Sequence, residues 1–79
     1  MKQTRHTAFL QALGNRLREL RRMRGLSQEE LAWKADLELS QISRIERGVI
    51  NTSVSQVLSI AEALEVSLPE FFDFDAPTE

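Results

Sequence analysis

The chain has no cysteine, a single histidine, and only three glycines and two prolines among 79 residues. The missing cysteines exclude disulfides and thiolate metal sites. His6 has no second histidine or cysteine to complete a metal site, so it reads as a solvated tail residue. There is no glycine-rich phosphate loop and no recognisable pair of nucleophile and base, which points away from an enzyme and from any bound cofactor, metal or small-molecule ligand. No apolar run approaches membrane-spanning length. The polar start, Met1 to His6, is not followed by the apolar core of a secretory signal, so a soluble cytoplasmic protein is expected, with no membrane partner. A chain this short makes one domain and buries only about 60 to 65% of its unfolded surface, so it stands to gain from a partner subunit.

Basic residues are also missing beyond Gly48. Residues 1 to 25 carry seven basic groups and one acidic, residues 26 to 48 three and five, and residues 49 to 79 none and six, for a net charge of −2. A folded domain polarised in this way can offer its basic end to phosphates and its acidic end to solvent or a partner.

What the chain does have is concentrated between Ser27 and Gly48. Leu31, Ala32 and Ala35 share one helical face, Leu37 falls in a turn, and Ile42 and Ile45 form the inward face of a second helix. One straight helix cannot accommodate both phases, whereas two short helices with a turn can. Ser27 with Glu30 is a capping box, with Leu26 and Leu31 as its hydrophobic staple, so the first of these helices begins at Gln28. Asp36 tolerates the left-handed conformation of the turn, and Gly48 ends the second helix. The residues Leu26-Ser27-Gln28-Glu29-Glu30-Leu31-Ala32 and Ile42-Ser43-Arg44-Ile45-Glu46-Arg47-Gly48 resemble the phage repressor and Cro type of helix-turn-helix proteins, the xenobiotic-response-element family, which includes restriction-modification controller proteins. The likeness runs over about residues 9 to 72.

The resemblance implies an all-α, five-helix, lambda-repressor-like DNA-binding domain over residues 7–73, with its helix-turn-helix formed by helices 2 and 3. A flexible arm (1–6) precedes it and an acidic tail (74–79) follows. Leu10, Leu13, Leu17 and Leu20 repeat at three and four residues and predict the first helix, from about Thr7 to Arg24, with Gly25 as its stop. Gly14 inside it costs about 1 kcal/mol relative to Ala, which suggests close packing there. In the resembling family an arginine at the position of Arg21 pairs with a glutamate at that of Glu46, so a structural ion pair is expected. Trp33 points away from Ala32 and Ala35 and is expected to cover the flank of a neighbouring helix or to join a contact surface. The family usually has Asn-Pro where this chain has Asn51 and Thr52, which leaves the loop after the second motif helix less restrained. Ser53 with Gln56 starts a fourth helix whose buried stripe reads Val54, Val57, Leu58, Ala61 and Leu64. Glu65 follows it, and Glu resists positive φ. Ser67 with Glu70 opens a short fifth helix in which Phe71 anchors to the core.

With Ile42 and Ile45 inward, the outward set of the recognition helix is Leu39, Ser40, Ser43, Arg44 and Arg47. Arg44 is the first candidate for direct readout, since a guanidinium can donate twice to guanine N7 and O6. Ser40 and Ser43 suit base edges or phosphates, Leu39 suits a thymine methyl, and Gln41 lies at the edge of the set. Ser27 and Gln28 sit at a helix amino end that favours a phosphate, and by resemblance Gln28 also braces the recognition helix. Arg47 and Asn51 read as phosphate contacts. Glu38, at the N-cap, would repel phosphate if it pointed outward. The Phe-rich carboxyl end, with Leu68, Phe72 and Phe74, is the candidate dimer surface. The expected function is a sequence-specific double-stranded DNA-binding transcriptional regulator, a homodimer on a palindromic operator. The competing reading is a protein-interaction module of the same fold, for example an antitoxin, using the Phe-rich surface.

Overall fold

Leu10, Leu13, Leu17 and Leu20 are all buried on one side of the longest helix, α1 (Thr7–Met23). The computed structural model describes residues 5–77. Lys2 and the rest of the arm before Arg5, and Thr78 and Glu79 of the tail, lie outside the described residues. Four helices follow: α2 (Gln28–Ala35), α3 (Leu39–Glu46), α4 (Val54–Leu64) and α5 (Leu68–Phe71), with no strand among the described residues. No helix in that range is long and apolar enough to cross a membrane.

The core joins the α1 leucines to Leu31, Ala32 and Ala35 of α2, Ile42 and Ile45 of α3, Ile60, Ala61 and Leu64 of α4, and Phe71 of α5. Helix α3 packs against both α1 and α2, α2 against α4, and α5 against α1 and α4. Gly14 is where α1 and α3 approach most closely. A Cβ there would lie 2.4 Å from the Ile45 carbonyl oxygen and 2.5 Å from that of Glu46. Only a residue without a side chain admits this crossing.

The first four helices end alike. Each is followed by a left-handed residue, Gly25 (φ 69°), Asp36 (57°), Gly48 (71°) and Glu65 (59°). The amide of the next, apolar residue then bonds back to the helix: Leu26 to the Arg21 carbonyl, Leu37 to Ala32, Val49 to Arg44 and Val66 to Ala61, at 2.9–3.1 Å. This is the Schellman arrangement, which satisfies carbonyls left open at a helix end. Glu65 therefore does adopt the positive φ expected to be resisted. Arg24 offsets the strain by donating to the carbonyls of Leu64 (2.7 Å) and Glu65 (3.1 Å). Arg16 treats the end of α5 in the same way, donating to the Glu70 carbonyl at 2.7 Å and that of Phe71 at 3.3 Å.

One expectation about apolar residues fails, and one of the two alternatives for Trp33 falls away. Val54 and Leu58 are not buried: they are 85% and 45% exposed, and Ile60 takes the inward place. Helix α4 sets Ser55, Gln56, Ser59 and Glu62 on one side and a broad apolar arc from Ile60 round to Leu58 on the other, and its neighbours cover only the part bearing Val57, Ile60, Ala61 and Leu64. Trp33 covers no flank and is 82% exposed. Ser53 and Ser67 accept from the amides of Gln56 (3.1 Å) and Glu70 (3.2 Å) as expected, while the Gln56 side chain turns instead to the Thr52 hydroxyl at 2.9 Å.

Candidate nucleic-acid interface

Glu46, at the last turn of α3, is fully buried, and the helix is seated around it. Arg21 donates to both carboxylate oxygens, Nε to Oε2 at 2.6 Å and Nη2 to Oε1 at 3.1 Å, and its Nη1 holds the Leu26 carbonyl at 2.8 Å. Gln28 donates its amide to Oε1 at 2.9 Å. Arg18 adds an ion pair at 3.5 Å and a bond to the Glu46 backbone carbonyl at 3.2 Å. Burial pushes the Glu46 carboxyl up, but the bonds from Arg21 and Gln28 and the charges of Arg21 and Arg18 hold it below the usual range. The Arg21 guanidinium is correspondingly raised, chiefly by its hydrogen bond to Glu46. One carboxylate thus ties α3 to α1 and to the start of α2. The Gln28 bond is the bracing of α3 that the resemblance implies, whereas Arg18 as a partner of Glu46 went unforeseen. The available signal was that Arg18 lies three residues before Arg21 on the same helix side.

With Ile42 and Ile45 buried beside Glu46, the opposite side of α3 is left to solvent. Leu39, Ser40, Arg44 and Arg47 are exposed and Ser43 is half-buried. The Arg44 side chain has no hydrogen bond or ion pair among the described residues, whereas Arg47 folds back toward the Ser43 carbonyl at 3.4 Å. Gln41 is half-buried, and its Oε1 accepts the Glu38 amide at 3.1 Å, closing the start of α3. That bond orients the Gln41 amide so that its NH2 group remains as a donor. Asn51 is exposed in the loop after α3.

At the start of α2, Ser27 Oγ accepts the Glu30 amide at 3.0 Å and Glu30 Oε1 accepts the Ser27 amide at 2.9 Å. The Ser27 backbone amide first, and the Ser27 hydroxyl second, hold the Glu30 carboxyl below its usual range. The α1 cations contribute less to the surface than their number implies. Arg16, Arg18, Arg21 and Arg24 each hold protein carbonyls or carboxylates, so much of the basic amino-terminal third serves the fold.

This arrangement is two short helices joined by the turn Asp36 to Glu38, the second seated by its inward face and open on its outward one. The helix-turn-helix domain model matches residues 12–71. The chain belongs to the helix-turn-helix domain family. It is 39% identical over 62 residues to the control protein C.BamHI of Bacillus amyloliquefaciens, covering 77% of this chain and 76% of that one. The same identity relates it to the transcriptional regulator SlrR of Bacillus subtilis, of which it spans only 41%. Among solved structures, the restriction-modification controller protein C.AhdI of Aeromonas hydrophila superposes with TM-score 0.78 at 44% identity, covering 80% of this chain and 96% of that one. The controller protein C.Esp1396I does so with TM-score 0.81 at 32%, covering 86% and 90%. In helix-turn-helix terms, α2 is the first helix and α3 the recognition helix, and the fold is the five-helix one expected.

An apolar groove of about 310 Å³ lies between α1, α4 and α5, bordered by Phe9, Leu10, Val54, Val57, Leu68 and Phe72. Leu68 and Phe72 are 39% and 42% exposed. Phe74 is half-buried, with its ring 5.9 Å from that of Phe9, and so lies at the edge of the core.

Proposed function

We propose that this chain is a cytoplasmic transcription regulator of the controller-protein kind that binds double-stranded DNA as a homodimer, reading a two-fold symmetric operator through the major groove with α3. The observation that carries the reading is the division of α3 into a seated face, Ile42, Ile45 and Glu46, and an open face on which the Arg44 guanidinium has no partner among the described residues. Arg44 reads guanine, Ser40 and Ser43 bond base edges or phosphates, Leu39 packs on a thymine methyl, and Gln41 donates from its amide at the edge of the contact. Ser27, Gln28, Arg47 and Asn51 hold phosphates and set the register.

The dimer forms across the α4–α5 groove, with Val54, Leu58, Leu68 and Phe72 at its centre and Phe74 at its rim. Support comes from the exposure of four large apolar side chains in one region of a small chain, a burden that a second copy relieves. Pairing places two copies of α3 on half-sites about 34 to 36 Å apart and doubles the few base contacts one domain makes. The test is selection of bound sites from random duplexes, with stoichiometry measured by sedimentation. Two-fold symmetric sites bound by two chains are expected. Binding indifferent to sequence, or no binding at low salt, overturns the reading.

A further inference from the structure

The loop from Val49 to Thr52 joins the recognition helix to α4 and contains no proline, yet it is held against the start of α1 at two points. The Arg5 guanidinium donates to the Val49 carbonyl across 44 residues of sequence. One residue earlier, Gly48 lies so close to α1 that a Cβ on it would sit 2.7 Å from Gln11 Cα. His6, next to Arg5, borders the same groove edge as Asn51 and Thr52. The Val49 amide is already engaged with the Arg44 carbonyl, so Val49 is fixed at its nitrogen to the recognition helix and at its oxygen to the amino-terminal arm.

We infer that Arg5 is a positioning residue for DNA binding: its guanidinium clasps the loop after the recognition helix and so sets the place of Asn51 and of the α3 carboxyl end. A cation spent on a backbone carbonyl restrains the chain in the free protein, before any duplex arrives. Restraint of this kind strengthens binding by lowering the ordering cost at association, with equal effect on all sequences.

The inference rests on the DNA-binding reading above, and two measurements keep the two separate. The first is amide hydrogen exchange on the free protein. Arg5→Ala should speed exchange at residues 49–52 while the α2 and α3 amides and the melting temperature stay as in the wild type. A merely structural role would instead lower protection throughout the domain, and unchanged loop exchange would overturn the clasp outright. The second is duplex binding as a function of salt. Arg5→Ala should weaken selected and random duplexes alike, roughly 3- to 10-fold, the range of one ordinary net hydrogen bond. The slope of log affinity against log salt should not change. A slope smaller by about one would make Arg5 a phosphate contact and end the proposal, as would unchanged affinity. Wild-type protein that bound no duplex would defeat the DNA reading, while the exchange result would still judge the clasp.

Discussion

Arg21 grips Glu46 at both carboxylate oxygens, at 2.6 and 3.1 Å, across 25 residues of sequence and inside the protein. Removing one partner of a buried pair leaves the other charge uncompensated, which costs on the order of 3 to 5 kcal/mol. Arg18 and Gln28 remain on Glu46 in an Arg21→Ala variant, so the lower end of that range is expected in denaturant titration. An unchanged unfolding midpoint would contradict the buried pairing.

The same carboxylate sets an acid limit. Its folded-state pKa lies below the ordinary 4.5, so its contribution to stability is fully present above 4.5 and is lost as pH falls through the lower folded value. A Glu46→Gln variant lacks this titration. It should be less stable than wild type at neutral pH, and the gap should narrow as pH drops below 4.5. Unfolding curves at a series of pH values read this directly.

Gly14→Ala tests the helix crossing. In an exposed helix the change stabilises by up to about 1 kcal/mol. Here the new Cβ meets two backbone oxygens of α3 that have little room to move. Overpacking of this kind costs about 1 to 3 kcal/mol, so the melting temperature should fall, and DNA affinity with it.

Arg44→Ala and Gln28→Ala should separate reading from holding. The first should relax preference at one or two base pairs per half-site, by about 1 to 3 kcal/mol of discrimination. The second should weaken all sequences similarly and also lower stability, because the Glu46 carboxylate loses a hydrogen bond. Binding to a panel of single-base variants of the selected site distinguishes them. Equal loss on every duplex for Arg44→Ala would remove it from the readers.

Val54→Glu should leave the fold intact, since Val54 is 85% exposed, and should shift sedimentation toward monomer. Affinity for a two-half-site duplex should then fall far more than affinity for a single half-site. A variant that sediments like the wild type would place the interface elsewhere.

Local chemistry was legible in the sequence, and distant chemistry was not. Ser27 with Glu30, Asp36 and Gly48 announced their helix ends because caps and left-handed residues depend on neighbours within a few positions. Ile42 and Ile45 announced the inward face of α3 by spacing alone. The stripe of α4 was legible only in part, because its apolar arc runs on to Val54 and Leu58 and elements far away in sequence decide how much of that arc is covered. Arg16 and Arg24 lie off the leucine stripe of α1, and nothing near them in sequence marks the backbone partners they bond. Their partners lie 54 and 40 residues on, at the ends of helices that local pattern cannot place in space. Of the two places open to Trp33, the flank of a neighbouring helix is not taken, because α2 has no neighbour on that side, and a contact surface is the one left.

Every group that seats α3, from the Gly14 crossing to the grip on Glu46, lies on its inner or trailing side, and none belongs to its outward residues. On the reading proposed above, the preference for one operator over another is free to drift by exchange of Leu39, Ser40 or Arg44 without endangering the scaffold. A lineage of such proteins can change its target sites while keeping the same frame.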